Sequence, residues 1–173
     1  MSKKNQTTKI TITIPKEAYF VSGIRDFTLN LIKNTTSFGE KWAFRFQSVV
    51  DELSNNAIEH GSAEGSEIRI SYIYKKDDYA EFLIEDTGTG PNKINSQKLK
   101  ELFDSRREPG YTFTGIRGRG LVKIVGEWTD EIEFMDGKQG GIIVRVKKFL
   151  KNSRESENKI SSNNNNLITN KND

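Results

Sequence analysis

The sequence predicts one α+β domain, and three observations carry that expectation. Runs that alternate polar and apolar residues at period two lie near the start, in the middle and toward the end of the chain. Two long stretches between the first and second of these repeat their apolar residues at helical spacing. The 173 residues give room for one hydrophobic core and little more.

The elements follow in order. KITITI, residues 9 to 14, alternates as a half-buried strand does, and Pro15 closes it. From Glu17 to about Asn34, Phe20, Ile24, Phe27, Leu31 and Ile32 recur at helical spacing, and the Asn-Thr-Thr-Ser cluster after them ends the helix. A second helix is expected from about Gly39 to His60, with Trp42, Phe46, Val49, Val50, Leu53, Ala57 and Ile58 on one stripe and Gly61 as its C-terminal cap. Residues 67–74 and 79–85 read as two strands of a hairpin turning through Lys75, Lys76, Asp77 and Asp78. Gly90 to Gly115 is a long polar segment with a weak helical patch at Leu99 to Phe103, expected to be a mobile lid. A helix from about Gly118 to Trp128 and strands near 130–135 and 141–149 complete the domain. The expected organisation is a flexible N-terminus over 1–8, a domain over 9–150 with its lid at about 91–117, and a disordered polar tail over 151–173.

Composition excludes several chemistries. Without cysteine there are no disulfides, thiolate metal sites or cysteine nucleophiles, and the single histidine, His60, rules out a multi-histidine metal centre. No stretch reaches the ~18 apolar residues of a membrane span, and no apolar segment follows the N-terminal lysines. A soluble cytoplasmic protein is therefore expected. A net charge of +3 is too weak to argue for nucleic acid or membrane. The charge is unevenly placed: over residues 91–120, Lys93, Lys98, Lys100, Arg106, Arg107, Arg117 and Arg119 stand against Glu101, Asp104 and Glu108, a local +4 that exceeds the whole chain's balance.

Three motifs carry chemistry. In DELSNNAIEHG, Glu52, Asn56 and His60 are four residues apart. Each step turns only about 40° around a helix, so the three form one ridge that a single ligand can meet; the ordinary alternative is a solvated polar face. FLIEDTGTG ends a strand at Asp86 with Gly88 and Gly90 behind it. That pattern suits a good turn, a nucleotide pocket, or an aspartic protease in which a dimer pairs two copies of Asp86. GIRGRGLVKIV places Gly118 and Gly120 where an apolar-periodic helix starts, and backbone N–H groups there would cradle a phosphate; a glycine hinge is the plain alternative. It lacks the Gly-Lys-Ser/Thr of a Walker loop.

In this order and spacing, the motifs resemble those of the GHKL (Bergerat-fold) ATPase superfamily of gyrase, heat-shock chaperone ATPases, histidine kinases and mismatch-repair ATPases. Within it, the chain looks most like the small serine/threonine-protein kinases that act as bacterial anti-sigma factors. The likeness spans residues 9 to 149. It rests on Glu52, Asn56 and His60 as the Glu-x-x-x-Asn-x-x-x-His helix, on Asp86, Gly88 and Gly90 as the Asp-x-Gly-x-Gly turn, and on Gly118, Gly120 and Leu121 as the Gly-x-Gly-Leu helix start.

The resemblance implies a two-layer α/β sandwich, a mixed and mainly antiparallel sheet with helices on one face and ATP between helices and lid. It implies that Asn56 binds Mg²⁺, that Glu52 is the general base or the group that orients the attacking hydroxyl, and that Asp86 accepts from the adenine amino group while Gly88 and Gly90 clear space beside the base. Gly118 and Gly120, with Arg117 or Arg119, would contact phosphates. The chain departs from the pattern before its last strand. Many relatives carry Gly-Thr there, and here the run is Gln139-Gly140-Gly141-Ile142 with no hydroxyl. Asn55 also stands where a small residue is usual.

Among subfamilies, a self-phosphorylating histidine kinase needs a second histidine, and gyrase- or chaperone-like members need a transducer domain after about Leu150. A stand-alone kinase acting in trans is therefore expected. By resemblance its substrate is a Ser or Thr of a STAS-type anti-anti-sigma protein, a sigma factor or other regulator is its second partner, and it forms a homodimer, with no direct part for nucleic acid or membrane. The alternative expectation is a nucleotide-dependent sequestration module without transfer; the protease dimer is the third.

Overall fold

The computed structural model describes residues 6–90, 94–112, 119–138 and 140–153. Five strands and four α-helical segments alternate along it. Strand β1 (Thr8–Pro15) is followed by helices α1 (Ala18–Thr35) and α2 (Glu40–Asn56), then by β2 (Glu67–Lys75) and β3 (Tyr79–Glu85). Next come α3 (Ser96–Ser105), the short α4 (Gly126–Trp128), β4 (Glu131–Asp136) and β5 (Ile142–Phe149). Two π-helical turns, Ala57–Gly61 and Leu121–Val125, run directly out of α2 and into α4.

The sheet has the order β1-β2-β3-β5-β4, and each of its four pairings is antiparallel. Period two sorts its two faces. Register aligns Ile12, Ile70, Ile84 and Val144 across neighbouring strands, and Ile10, Tyr72, Phe82 and Val146 in the adjacent row. These side chains meet the apolar stripes of α1 and α2 in one core, where Phe46, Val49, Val50, Ile70 and Val146 are fully buried. The opposite face carries charge: Arg145 is gripped by Glu81, Glu131 and Glu133, and Arg69 pairs with Glu85. The result is a two-layer α+β sandwich whose apolar rows all face the helices.

Two polar groups inside this core are satisfied locally. Tyr72 and Thr28 are both buried; the Thr28 hydroxyl donates to the Ile24 carbonyl at 2.7 Å and therefore accepts from the Tyr72 phenol at 3.0 Å. Burial pushes that phenol up to about 12. Thr28→Val strands the Tyr72 hydroxyl and should cost about 1–3 kcal/mol, while Tyr72→Phe removes donor and need together and should cost about 1 kcal/mol or less. Urea unfolding of the two variants gives the comparison. At the far end, inward-pointing Lys148 is neutralised by Asp130 at 2.8 Å and lies over the Trp42 ring.

Two sequence expectations change here, at Gly61 and at the start of the tail, while the helical patch expected at Leu99–Phe103 is found as α3. Gly61 does not cap α2 in a left-handed conformation; the helix continues as a π turn, and the backbone leaves it at Ser62 in an extended conformation. The described part of the segment expected to be a lid contains α3, which is fastened to β4. Its N-terminal Ser96 amide donates to Asp136, and Phe103, buried, packs its ring against Phe134. The tail also begins later than expected: residues 150–153 form a helical turn in which Leu150 and Ser153 are buried, and the Trp42 indole donates to the Ser153 carbonyl. Residues 1–5, 91–93, 113–118, Gln139 and 154–173 lie outside the described residues, and with them most of the expected N-terminal and C-terminal tails and the ends of the lid.

Candidate functional site

The ends of α2, β3 and β5 enclose a cavity of about 490 Å³, within the range of small-molecule sites. Glu52, Asn56 and His60 line it from α2 and its π turn, Asp86, Gly88 and Gly90 from the turn after β3, and Leu121 from the second π turn. Two motifs and part of the third, far apart in sequence, thus share one space. Arg119 is exposed and is not on the cavity wall, and Arg117 and Gly118 lie outside the described residues.

At one end of the cavity stands Asp86. Its Oδ1 accepts from the backbone amides of Gly88 at 2.8 Å and Ile142 at 3.1 Å. Glycines explain how the carboxylate fits. A Cβ at position 61 would fall 2.2 Å from Asp86 Oδ2, and one at position 141 would fall 1.9 Å from the Asp86 carbonyl oxygen. Gly61 is therefore required by contact with Asp86, and the hydroxyl side chain absent before β5 has no room at Gly141. Gly88, at φ +63°, and Gly90 make room for backbone, since a Cβ on either would meet the carbonyl of Gly140 or of His60. The aspartic protease reading meets an obstacle here. A second carboxylate must come within about 3 Å of the first, and Asp86 is walled by Gly61 and Gly141 at one end of the cavity.

Burial raises the Asp86 carboxyl above its ordinary value of 3.8, against the lowering effect of the Ile142 and Gly88 amides and with a smaller raising effect from Glu85. The sign of the consequence is fixed. An acid whose folded value is raised binds its proton on folding, so this contribution is fully present below the unfolded value and is lost as pH rises through the folded one. Recognition of an amino group runs the other way, because it needs the carboxylate. As pH falls from about 7 to about 4, affinity for a ligand held through such an amino group should fall while the Asp86 contribution to stability of the unliganded protein increases; isothermal binding and thermal melting over that range test the opposed signs.

At the other end stands Glu52. Its carboxylate lies directly against Gly120, where a Cβ would sit 2.2 Å from both carboxylate oxygens, at the entrance to the π turn. The Asn56 amide nitrogen donates to Glu52 Oε1 at 3.1 Å, which leaves the amide oxygen as the atom for a hard cation. Asn55 does not line the cavity and lies near Asp51. No cluster of three or more carboxylate or imidazole groups that would hold a metal occurs among the described residues. The Asn56 oxygen is a hard donor of the kind that Mg²⁺ takes, an ion that commonly binds one or two protein groups and completes its shell with phosphate and water. His60 is half exposed, with Nε2 3.9 Å from Glu59.

Between the two ends the walls are apolar: Leu53, Ala57, Ile84, Ile142 and Val144 from the sandwich, and Leu99 and Leu102 from α3. A slot of that kind suits the flat, weakly polar face of a base. Arg106, at the C-terminus of α3, also lines it; it is one of the seven cations counted over residues 91–120 and lies outside the three motifs. The available signal was the i, i+3, i+4 pattern of Leu99, Leu102 and Phe103, which places Arg106 four residues after Leu102 on the side of α3 that faces the cavity. Among the described residues, no helix is long and apolar enough to cross a membrane.

Comparison with known proteins agrees with this geometry. Residues 43–152 match the family model described as histidine kinase-, DNA gyrase B- and HSP90-like ATPase. The chain is also similar to the circadian input-output histidine kinase CikA of Synechocystis sp., at 36% identity over 111 residues, covering 59% of this chain and 14% of that protein. The chain thus spans a small part of the length of the curated relative it matches.

Proposed function

This chain belongs to the histidine kinase-, DNA gyrase B- and HSP90-like ATPase family, and from that premise we propose that it binds ATP with Mg²⁺ and transfers the γ-phosphate to a serine or threonine hydroxyl of a partner protein. Asp86 takes the adenine amino group, the aliphatic walls take the ring, and the phosphates extend toward Glu52, Asn56 and Gly120. The Asn56 oxygen would hold Mg²⁺, which would supply neutralisation of phosphate charge.

The observation that carries the choice of acceptor is the placement of the Glu52 carboxylate against Gly120, at the phosphate end of the cavity. A neutral imidazole has a lone pair ready at pH 7 and needs no base, whereas an alcohol must lose its proton as it attacks. With Glu52 as base, the hydroxyl oxygen bonds to the γ-phosphorus, the bond from that phosphorus to the β-phosphate oxygen breaks, ADP departs, and the proton goes to Glu52. The resemblance of the motifs to anti-sigma factor kinases supports a STAS-type anti-anti-sigma protein as substrate, a sigma factor or other regulator as second partner, and a homodimer as the assembly.

The similarity to a histidine kinase favours a second reading, transfer to histidine. His60 is the one histidine of these 173 residues and lines the cavity beside Asn56, so the acceptor would lie outside them. The test is incubation of the protein with γ-labelled ATP and a STAS-type protein. Acid-stable label on a Ser or Thr peptide is the expected result. Acid-labile label on a histidine would favour the second reading, and an ATP-dependent complex with no label would leave a sequestration module.

A further inference from the structure

The turn that carries Asp86 contains two glycines, Gly88 and Gly90, and is intrinsically loose. It is tied to the chain leaving the first π turn at two points. The Gly90 amide donates to the Gly61 carbonyl at 3.2 Å, and the Ala63 amide donates to the Thr89 hydroxyl at 3.0 Å. The Thr89 hydroxyl also shares a 2.7 Å hydrogen bond with that of Thr87. Among the described residues, Thr89 thus supplies the one side-chain hydrogen bond between this turn and the segment Gly61–Ala63. That segment is the wall of the base acceptor, since the Gly61 α-carbon abuts the Asp86 carboxylate.

We infer that Thr89 is a positioning residue for base selection: by holding the Ala63 amide, its hydroxyl keeps Gly61 against Asp86 and so fixes the direction in which Oδ2 meets the base. Oδ1 already accepts two backbone amides, so Oδ2 is the oxygen left for the exocyclic amino group, and its aim depends on the wall beside it. The inference rests on the cavity being the ATP site. Thr89 is exposed, so the loss of its hydroxyl should hardly alter global stability, and its effect appears in discrimination instead.

The experiment compares the affinity for Mg²⁺-ATP with that for the Mg²⁺ complex of purine riboside triphosphate, which lacks the 6-amino group. It uses the full chain as wild type, Asp86→Asn, Thr89→Val and Thr89→Ser. Wild type should prefer ATP, and Asp86→Asn should lose that preference. Thr89→Val should reduce the ratio by about 3- to 10-fold, the worth of one hydrogen bond, and Thr89→Ser should restore it. A wild-type ratio in Thr89→Val, a Thr89→Ser as poor as Thr89→Val, or equal losses for both nucleotides with a lowered melting temperature would each overturn the positioning role. A wild type without preference, or an Asp86→Asn that keeps it, would instead remove the base-acceptor reading beneath it.

Discussion

Glu52→Gln should lower phosphate transfer to the partner by about 10²- to 10⁴-fold, the usual contribution of a general base, and leave ATP binding within a few-fold of wild type. The amide keeps an oxygen to accept from the Asn56 amide, as Glu52 Oε1 does at 3.1 Å, and is close enough in size to occupy the same place against Gly120. It cannot take the hydroxyl proton. Single-turnover transfer measured beside equilibrium binding separates the two effects. Loss of both together would make Glu52 a structural support of the cavity, and loss of neither would remove it from the reaction.

The second large effect is expected at Gly141. Many relatives carry a threonine in this region, so Gly141→Thr looks like a restoration, yet here it should abolish ATP binding and destabilise the fold by about 1–3 kcal/mol or more. A Cβ at that position would lie 1.9 Å from the Asp86 carbonyl oxygen and 2.8 Å from its Oδ1. The same strand ends are joined by the Asp86 amide donating to the Ile142 carbonyl at 3.1 Å, so relief of the clash pulls β3 from β5 just where the acceptor is held. Urea unfolding and nucleotide titration of the variant measure both consequences. A Gly141→Thr protein that binds ATP as wild type does would show that β3 and β5 approach less closely here.

The contrast between what the residues announced and what they concealed follows from range. KITITI and the hairpin runs declared themselves because a strand with one buried face must alternate, and α1 and α2 because a helix on a sheet must carry a stripe. Glu52, Asn56, Asp86 and Leu121 could be gathered in advance because the order and spacing of their motifs resemble those of a known ATPase superfamily, while local geometry alone left each motif a plain alternative. The π turns could not, because inserting a residue into a helix leaves no periodic mark. Gly61 was misassigned for a related reason: a glycine after a helical stripe signals a cap, while the contact that excludes a side chain here is with Asp86, 25 positions further on. The placement of β5 between β3 and β4, the docking of α3 on β4 and the arrival of Arg106 at the cavity likewise depend on tertiary packing.

The proposed function requires above all that one cavity hold Mg²⁺-ATP with its phosphates at Asn56. Thermal melting of the protein with ATP, with and without Mg²⁺, for wild type and Asn56→Ala, tests this most directly. At ligand a hundredfold above Kd, wild type should gain about 2.7 kcal/mol of stability, seen as a clear rise in melting temperature that requires Mg²⁺ and is largely lost in Asn56→Ala. No shift in wild type at millimolar Mg²⁺-ATP, or an equal Mg²⁺-dependent shift in Asn56→Ala, would contradict it.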